Sequence, residues 1–388
     1  MRLHTIRHIV ALASVLIAAS VTSSCGTGGA EAQDSTASPT DAFKNTVYAD
    51  MAGDERHLWV LVAGHDLDDT PNGMRVYERN VDQRDWRELP PIPWTTLGRG
   101  SFAIAGWRGR PCVTVPRSDP RSGDVMMCLF NDEWRSITDD SPLDHQTIDQ
   151  LTAYDDALFA ITTSSQNGTR RTSHAIYRWD RERWQRLGAP VQAQSGIAAL
   201  GQTGSGGLAP DLLIESTGGR PASRAIYRLS GGTWKAVGDR IEDASIGPNV
   251  SGPVTRAGTT WVAVTEANRT PWRFSVLRRT SSSGRWHRRA LNISRGNAQG
   301  AVYPGHAGTW AIWVESLPRN SRAVPFSERI WAARLDTAGS RPISLHSGLS
   351  IGPGDITISD GAGGTWALYM TTTPSHGLRA VVRALPGR

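Results

Sequence analysis

Short runs of aliphatic, Thr and aromatic residues follow one another along most of the chain, and turns of Gly, Pro, Asp and Asn separate them. Runs of about four to eight such residues bounded by turn residues are typical of β-strands. Residues 148–190 predict four of them, at about 149–153, 157–162, 174–179 and 184–187. Beyond the N-terminal segment, no stretch of about 12 residues or more has a helical period, so we expect few helices.

The strand pattern repeats about every fifty residues. Residues 175–178 (AIYR) recur as residues 225–228, and the same offset relates Trp184 to Trp234. Five tryptophans follow this spacing, 48 to 52 residues apart: Trp86, Trp134, Trp184, Trp234 and Trp286. Units of about 40–50 residues with four short strands each are typical of the blades of a β-propeller.

Residues 43–388 have room for seven such units, so we predict an all-β fold: one β-propeller domain of about seven four-stranded blades. The blades are expected at 43–91, 99–140, 148–190, 195–243, 252–294, 299–346 and 354–388. The last one lacks a tryptophan-bearing fourth strand and is therefore incomplete, unless N-terminal residues near 36–44 supply its outer strand. A ring has to close, because an open blade edge leaves backbone groups unpaired.

Tryptophan is frequent, with 15 Trp against 7 Tyr and 6 Phe. Nine tryptophans lie on the repeat, and we expect them to fill the gaps between blades. They are Trp59, Trp86, Trp134, Trp184, Trp234, Trp261, Trp286, Trp310 and Trp366. Trp94, Trp107 and Trp272 lie off the repeat beside Pro or Gly, and they are the better candidates for exposed stacking surfaces.

The formal charge is +6, and all but two of the 42 Lys and Arg residues are Arg. These arginines are spread along the chain rather than clustered with aromatic residues, so nucleic acid is not an expected partner. A hydrophobic content of 39% argues against a largely disordered chain.

The first 24 residues have the pattern of a lipoprotein-type signal peptide. Arg2 and Arg7 precede an apolar run at 9–19, which is too short to span a bilayer, and Cys25 follows a small-residue triplet that resembles a bacterial lipobox. The departure is Thr22, where Leu is usual. We expect acylation of Cys25, a flexible tether over 25–42 and an extracytoplasmic, membrane-anchored domain over 43–388. The alternative is cleavage near residues 30–32 and secretion.

Export would place the remaining two cysteines, Cys112 and Cys128, in an oxidising compartment. They lie in two short apolar runs joined by a loop of Pro, Gly, Ser and Asp. A hairpin centred near Pro120 sets them opposite each other, and we predict a disulfide bond between them. The alternative is a pair of free buried thiols.

Residues 358–366 (ISDGAGGTW) and 226–234 (IYRLSGGTW) resemble the repeat of uncharacterised exported β-propeller proteins of actinobacteria. The resemblance covers most of the chain after the tether, and it implies a propeller in an exported or lipid-anchored location. It implies no activity. Residues 359–366 also match a sialidase Asp box at four positions, but Gly361 stands where that motif has Asp.

Three acids recur at the end of the second strand in consecutive repeats: Glu215, Glu266 and Glu315. Loops after this strand usually form the ligand-binding face of a propeller, so these carboxylates are our candidate ligand-binding residues. The alternative is three solvated strand ends. No His or Cys cluster has metal-ligand spacing, and the acidic segment 66–73 departs from a calcium loop, so we expect neither a metal nor a cofactor.

We therefore predict a monomeric, lipid-anchored binding module at the cell envelope rather than an enzyme. Its partner is an unidentified protein, glycan or small molecule, and its only membrane contact is the lipid anchor. The alternative is a carbohydrate-active hydrolase or lyase that uses Glu215, Glu266 and Glu315, since glycosidases act through paired carboxylates. The catalytic residues of such an enzyme are unknown from the sequence.

Overall fold

A computed structural model gives the structure of the chain. The residues it describes are 43, 46–65, 71–83, 85–93, 102–117, 123–154, 156–165, 171–194, 198–203, 210–216, 223–242, 246–266, 271–280, 284–291, 297–305, 308–316, 327–337, 339–349, 356–373 and 377–386. They belong to one compact unit, Ala37–Arg388. Their secondary structure consists of 30 strands, and none of these residues forms a helix suited to crossing a membrane. Cys25 and the predicted signal peptide lie outside the described residues.

Blades 1 to 3 each contain one antiparallel sheet. Blade 1 has β1 (Thr46–Gly53), β2 (His57–His65), β3 (Pro71–Asn80) and β4 (Arg87–Glu88). Blade 2 has β5 (Ala103–Trp107), β6 (Arg110–Pro116), β7 (Asp124–Phe130) and β8 (Glu133–Ser136). Blade 3 has β9 (Ile148–Tyr154), β10 (Ala157–Ser165), β11 (Arg171–Trp179), β12 (Trp184–Arg186) and β13 (Val191–Gln194). The four strands predicted between residues 148 and 190 are confirmed.

Blades 4 to 7 continue this order. Blade 4 has β14 (Ala198–Leu200), β16 (Leu212–Ser216), β17 (Ser223–Ser230), β18 (Thr233–Ala236) and β19 (Ile241–Glu242), with β15 (Gln202–Thr203) pairing to the next blade. Blade 5 has β20 (Ile246–Arg256), β21 (Thr259–Glu266), β22 (Arg273–Thr280) and β23 (His287–Ala290). Blade 6 has β24 (Asn297–Gly305), β25 (Gly308–Ser316), β26 (Ser327–Arg334) and β27 (Ile343–Leu349). Blade 7 has β28 (Thr357–Gly361), β29 (Gly364–Thr373) and β30 (Gly377–Ala384).

The first strands of the seven blades form a closed ring. Contacts run from β1 to β5, β9, β14, β20, β24 and β28, and β28 returns to β1. The later strands of each sheet follow outward in chain order. The predicted all-β propeller of seven blades is confirmed.

The last blade has three described strands, and the N-terminal part of the domain contacts it. The backbone N–H of Ala380 on β30 donates to the carbonyl oxygen of Phe43 at 3.2 Å. The Phe43 ring is buried and meets Tyr77 and Trp86 of blade 1 edge-on, at centroid distances of 5.2 and 5.5 Å. Phe43 therefore joins the first and last blades, and the rest of the segment near 36–44 that could supply an outer strand lies outside the described residues.

Tryptophans on the fourth strands, or directly before the strand in the case of Trp286, connect consecutive blades. Each indole Nε1 donates to a backbone carbonyl 44 or 47 residues earlier in the chain, in the segment after the preceding blade's fourth strand. The pairs are Trp134–Pro90, Trp184–Ile137, Trp234–Leu187 and Trp286–Asp239, at 2.7, 2.7, 2.8 and 3.0 Å. These four tryptophans of the repeat therefore make a hydrogen bond to the preceding blade as well as packing contacts.

Two sequence predictions about single residues have clear outcomes. The disulfide is present, because Cys112 and Cys128 lie opposite each other on β6 and β7 and are covalently bonded. Trp107, in contrast, is not an exposed stacking surface: it is buried, and its Nε1 donates to the carbonyl of Asp156 in blade 3 at 2.8 Å. A tryptophan off the repeat thus also joins two blades. Trp272 is half-buried, and Trp94 lies outside the described residues.

Candidate functional site

A cavity of about 540 Å³ lies at the centre of the ring. The first strands of five blades line it, namely β1, β5, β9, β24 and β28, together with the adjoining Phe102 and Ile356. Ligand cavities in proteins typically enclose about 300–1,000 Å³. We call this cavity the central channel.

The charged residues of the central channel are all acidic. Asp50, Asp149 and Asp360 line it, and its described lining residues include no Lys, Arg or His. This composition is opposite to that of the whole chain, whose formal charge is +6. Charges of one sign in a cleft with low-dielectric walls focus the electric field and concentrate ligands of the opposite sign.

The carboxylate of Asp50 is held by two backbone N–H groups. Its Oδ1 accepts from its neighbour Met51 N–H at 2.8 Å, and its Oδ2 accepts from Ile104 N–H of blade 2 at 3.1 Å. Burial raises the pKa of Asp50 from 3.8 to about 6, although both backbone donors favour the charged form. The carboxylate is therefore held in one orientation, and its charge changes within a mildly acidic range.

Aromatic rings complete the wall of the central channel. Tyr48 and Phe102 lie 5.3 Å apart in a tilted pair, and Tyr154 and Tyr303 also line the cavity. The hydroxyl of Tyr303 donates to the carbonyl of Ile356 at 2.7 Å, and burial raises the pKa of this phenol, so it stays neutral. Aromatic faces beside carboxylates attract organic cations through the ring quadrupole.

The three glutamates predicted as ligand-binding residues occupy equivalent places in blades 4, 5 and 6. Glu215, Glu266 and Glu315 lie at or near the ends of β16, β21 and β25, the second strands of those blades. Each is paired across the sheet with an arginine of the third strand: Arg224, Arg273 and Arg329, respectively. The recurrence seen in the sequence is thus a structural equivalence.

The described glutamate side chains do not face open solvent. Glu266 is 6% exposed, and its Oε1 accepts from Ser275 Oγ at 3.0 Å and from Arg288 Nη1 at 3.1 Å. Glu315 is fully buried and accepts from Trp313 Nε1 at 3.2 Å. They are therefore not the solvated strand ends of the alternative interpretation. The side chain of Glu215 is outside the described part, and ligand binding by the three residues stays a prediction.

The channel acids were not predicted from the sequence. They come from first strands that are far apart in the chain, on β1, β9 and β28, and only ring closure brings them to one cavity. In the sequence, Asp149 lies inside the strand predicted at about 149–153, but one aspartate on a strand does not indicate a cavity. Among the described residues, those of the channel included, no three His, Cys, Asp or Glu side chains are grouped so that they could hold a metal ion.

Known structures with a similar fold include two polysaccharide lyases and a β-propeller domain. One is a PL25 ulvan lyase, a polysaccharide lyase bound to -[GlcA(1-4)Rha3S]-, with a TM-score of 0.56, 8% identity, and coverage of 88% of this chain and 94% of that chain. Another is the polysaccharide lyase Uly1, with a TM-score of 0.52, 8% identity and coverage of 88% and 89%.

A third is the β-propeller domain of the Trilobed protease from Pyrococcus furiosus, with a TM-score of 0.51, 9% identity and coverage of 89% and 97%. At such low identity these similarities show the fold alone. No protein-family model and no curated protein sequence matches the chain. The class defined by the fold is the β-propeller.

Proposed function

We propose that this protein is a binding propeller whose central channel takes up a small organic cation. The proposal rests on Asp50, Asp149 and Asp360, which make the central channel acidic although the chain as a whole is basic. A cation that enters gains attraction from the carboxylates, and the low-dielectric walls strengthen it. An anion of the same size is repelled.

The chemical class that fits best is an ammonium-bearing sugar, such as the glucosamine unit of a glycan. The ammonium group pairs with a channel aspartate, and the hydroxyl-bearing ring lies against Tyr48, Phe102 or Tyr154, which line the same cavity. Two propellers of similar fold are polysaccharide lyases by name. That similarity shows that proteins of this fold can act on carbohydrates, and it supports a carbohydrate ligand no further than that.

A matched pair of ligands tests the proposal. Isothermal titration calorimetry is run with the glucosamine dimer, which is charged, and with its N-acetylated form, which is neutral. We expect binding of the charged dimer only, with an affinity that rises from about pH 5 to about pH 7 as Asp50 ionises. Equal affinity for the two dimers, or no binding of either, would overturn the proposal.

The catalytic alternative has less support. A glycosidase needs two carboxyl groups facing one bond, about 5 to 9.5 Å apart. Glu266 and Glu315 are instead buried in separate blades, where Ser275 and Trp313 hold them by hydrogen bonds. Incubation with polysaccharides and analysis of the released reducing ends distinguishes the two functions.

We further propose that the protein is exported and anchored by acyl chains on Cys25, as the signal-like segment and the resemblance to exported propellers suggest. The bond between Cys112 and Cys128 supports export, because disulfides persist in oxidising compartments. Replacing Cys25→Ala is expected to release the protein into the medium. Retention of that variant in the membrane fraction would contradict the lipid anchor.

A further inference from the structure

A second cavity lies between blades 2 and 3, among their outer strands. It encloses about 360 Å³ and shares no residue with the central channel. The side chains of Phe130, Trp179 and Trp184 form its apolar wall, and Asp139, Asp140 and Glu182 are among its polar lining. We call this cavity the interblade cleft. Its mixture of aromatic wall and a few polar groups is the composition of small-ligand sites.

Trp179 is specific to this blade. It pairs with Trp184 across β11 and β12, and the equivalent pairs in the neighbouring blades are Leu129–Trp134 and Leu229–Trp234. Leucine therefore satisfies the packing of the repeat at this position. The indole at residue 179 needs another explanation.

The N–H of that indole lacks an acceptor. Trp179 is 8% exposed, and its Nε1 is buried without a hydrogen-bond partner among the described residues. The neighbouring Trp184, in contrast, donates to Ile137 O at 2.7 Å. A buried donor with no acceptor costs about 1–3 kcal/mol, so a ligand oxygen that reached this N–H would recover that free energy.

The surrounding groups suggest which ligand supplies the oxygen. The rings of Trp179 and Trp184 lie 5.5 Å apart at 46°, and both residues belong to the wall of the cleft. Asp139, Asp140 and Glu182 are exposed, and carboxylates accept hydrogen bonds from hydroxyl groups. We propose that the interblade cleft is a second binding site, which takes a neutral hexose ring of a glycan.

The test follows the indole N–H signals by proton–nitrogen correlation NMR. Methyl glycosides of glucose, galactose, mannose and fucose are titrated at millimolar concentrations, and the signal absent from Trp179→Phe assigns residue 179. We expect this signal to shift with at least one glycoside. No shift with any of the four would overturn the proposal.

Two variants separate ligand binding from folding. Trp179→Leu installs the residue that blades 2 and 4 carry at this position, so we expect it to fold and to lose binding. Trp179→Phe keeps a ring but deletes the N–H, and a loss of one hydrogen bond of about 1.4 kcal/mol predicts about tenfold weaker binding. Unchanged affinity in a folded Trp179→Leu protein would refute the site.

A channel variant serves as the control. Asp50→Asn alters the central channel and touches no lining residue of the interblade cleft. We expect it to bind the methyl glycoside as the unmodified chain does, whatever happens to binding of the charged dimer. A parallel loss of both in Asp50→Asn would mean that the glycoside occupies the channel, and the cleft proposal would fail while the channel proposal stands.

Discussion

The indole Nε1 of Trp184 donates to the backbone carbonyl of Ile137, 2.7 Å away, and so joins blade 3 to the end of blade 2. The bond is buried, and donor and acceptor are 47 residues apart. The same separation recurs at Trp234 and Trp286. Phenylalanine can fill an interblade gap but cannot donate this bond, so the geometry explains why the repeat carries Trp.

Replacing Trp184→Phe should destabilise the fold. The change leaves the Ile137 carbonyl without its donor in a buried place, and we expect a loss of about 1–3 kcal/mol in the free energy of unfolding. Guanidinium titration followed by circular dichroism measures it. Trp286→Phe is the matched control, because its bond to Asp239 is exposed and water can replace the indole. Equal losses in both variants would contradict the explanation.

The regularity of these positions is what made the fold predictable. Each blade repeats one local pattern, so the fourth-strand tryptophans and the facing Cys112 and Cys128 are visible as spacings in the sequence. The contacts of Trp107 could not be predicted from the spacing of the repeat. Trp107 lies off the repeat, yet its indole donates a hydrogen bond to Asp156 of blade 3, because the end of β5 in blade 2 also lies next to that blade.

The channel could not be predicted in the same way. Asp50 and Asp360 are more than 300 residues apart in the chain, and they share a cavity because β28 contacts β1. That contact depends on the number of blades and the twist of each sheet, which no local pattern encodes. The lack of an acceptor for the Trp179 indole N–H could not be predicted either. A tryptophan on a strand predicts that the side chain is packed, but it does not predict whether its N–H has a hydrogen-bond partner.

The ion pair between Asp211, directly before β16, and Arg228 on β17 should respond unequally to removal of its two partners. Asp211 is 2% exposed, and its two carboxylate oxygens each accept from the Arg228 guanidinium at 2.8 Å. Arg228→Met leaves a buried charge whose remaining side-chain hydrogen bond among the described residues is from Thr255 Oγ1, at 3.4 Å, so we expect a loss of about 3 kcal/mol or more.

Asp211→Asn should cost less, because the Arg228 side chain is 51% exposed and water can solvate it. The two free energies of unfolding from urea titration give the comparison directly. A larger loss for Asp211→Asn than for Arg228→Met would show that the burial argument is wrong.

Two glycines with the same backbone conformation should differ in their tolerance of alanine. Gly238 and Gly232 have φ of +71° and +73°. A Cβ at residue 238 collides with the guanidinium of Arg279, whereas one at residue 232 meets nothing within 4 Å. Arg279 is buried, donates to Val237 O at 2.7 Å and stacks over Trp286, so displacing it breaks both contacts.

We expect Gly238→Ala to lower the free energy of unfolding by about 1–3 kcal/mol more than Gly232→Ala, since the strain of positive φ is common to both. Thermal and urea unfolding of the two variants measures the difference. Indistinguishable losses would indicate that Arg279 finds an equally good position.

Ionisation of Asp50 should make the fold less stable as the pH rises. Burial raises its pKa from 3.8 to about 6, so between these values the folded chain keeps a proton that the unfolded chain releases. The contribution of the protonated form is complete below about pH 4 and is lost as the pH rises through about 6, with release of about one proton from the folded state. Other acids add their own slopes, so the effect is defined by comparison with a variant.

Asp50→Asn supplies that comparison, because it keeps the size of the side chain and cannot ionise. The amide replaces one acceptor of the Met51 and Ile104 N–H groups by a donor, so a constant loss of stability is expected at every pH. The decisive quantity is therefore the pH dependence of the difference between the two free energies of unfolding, measured by urea titration from about pH 4 to about pH 7. The unmodified chain should lose stability relative to Asp50→Asn over this range. A difference that does not change with pH would show that Asp50 titrates alike in the folded and unfolded chains.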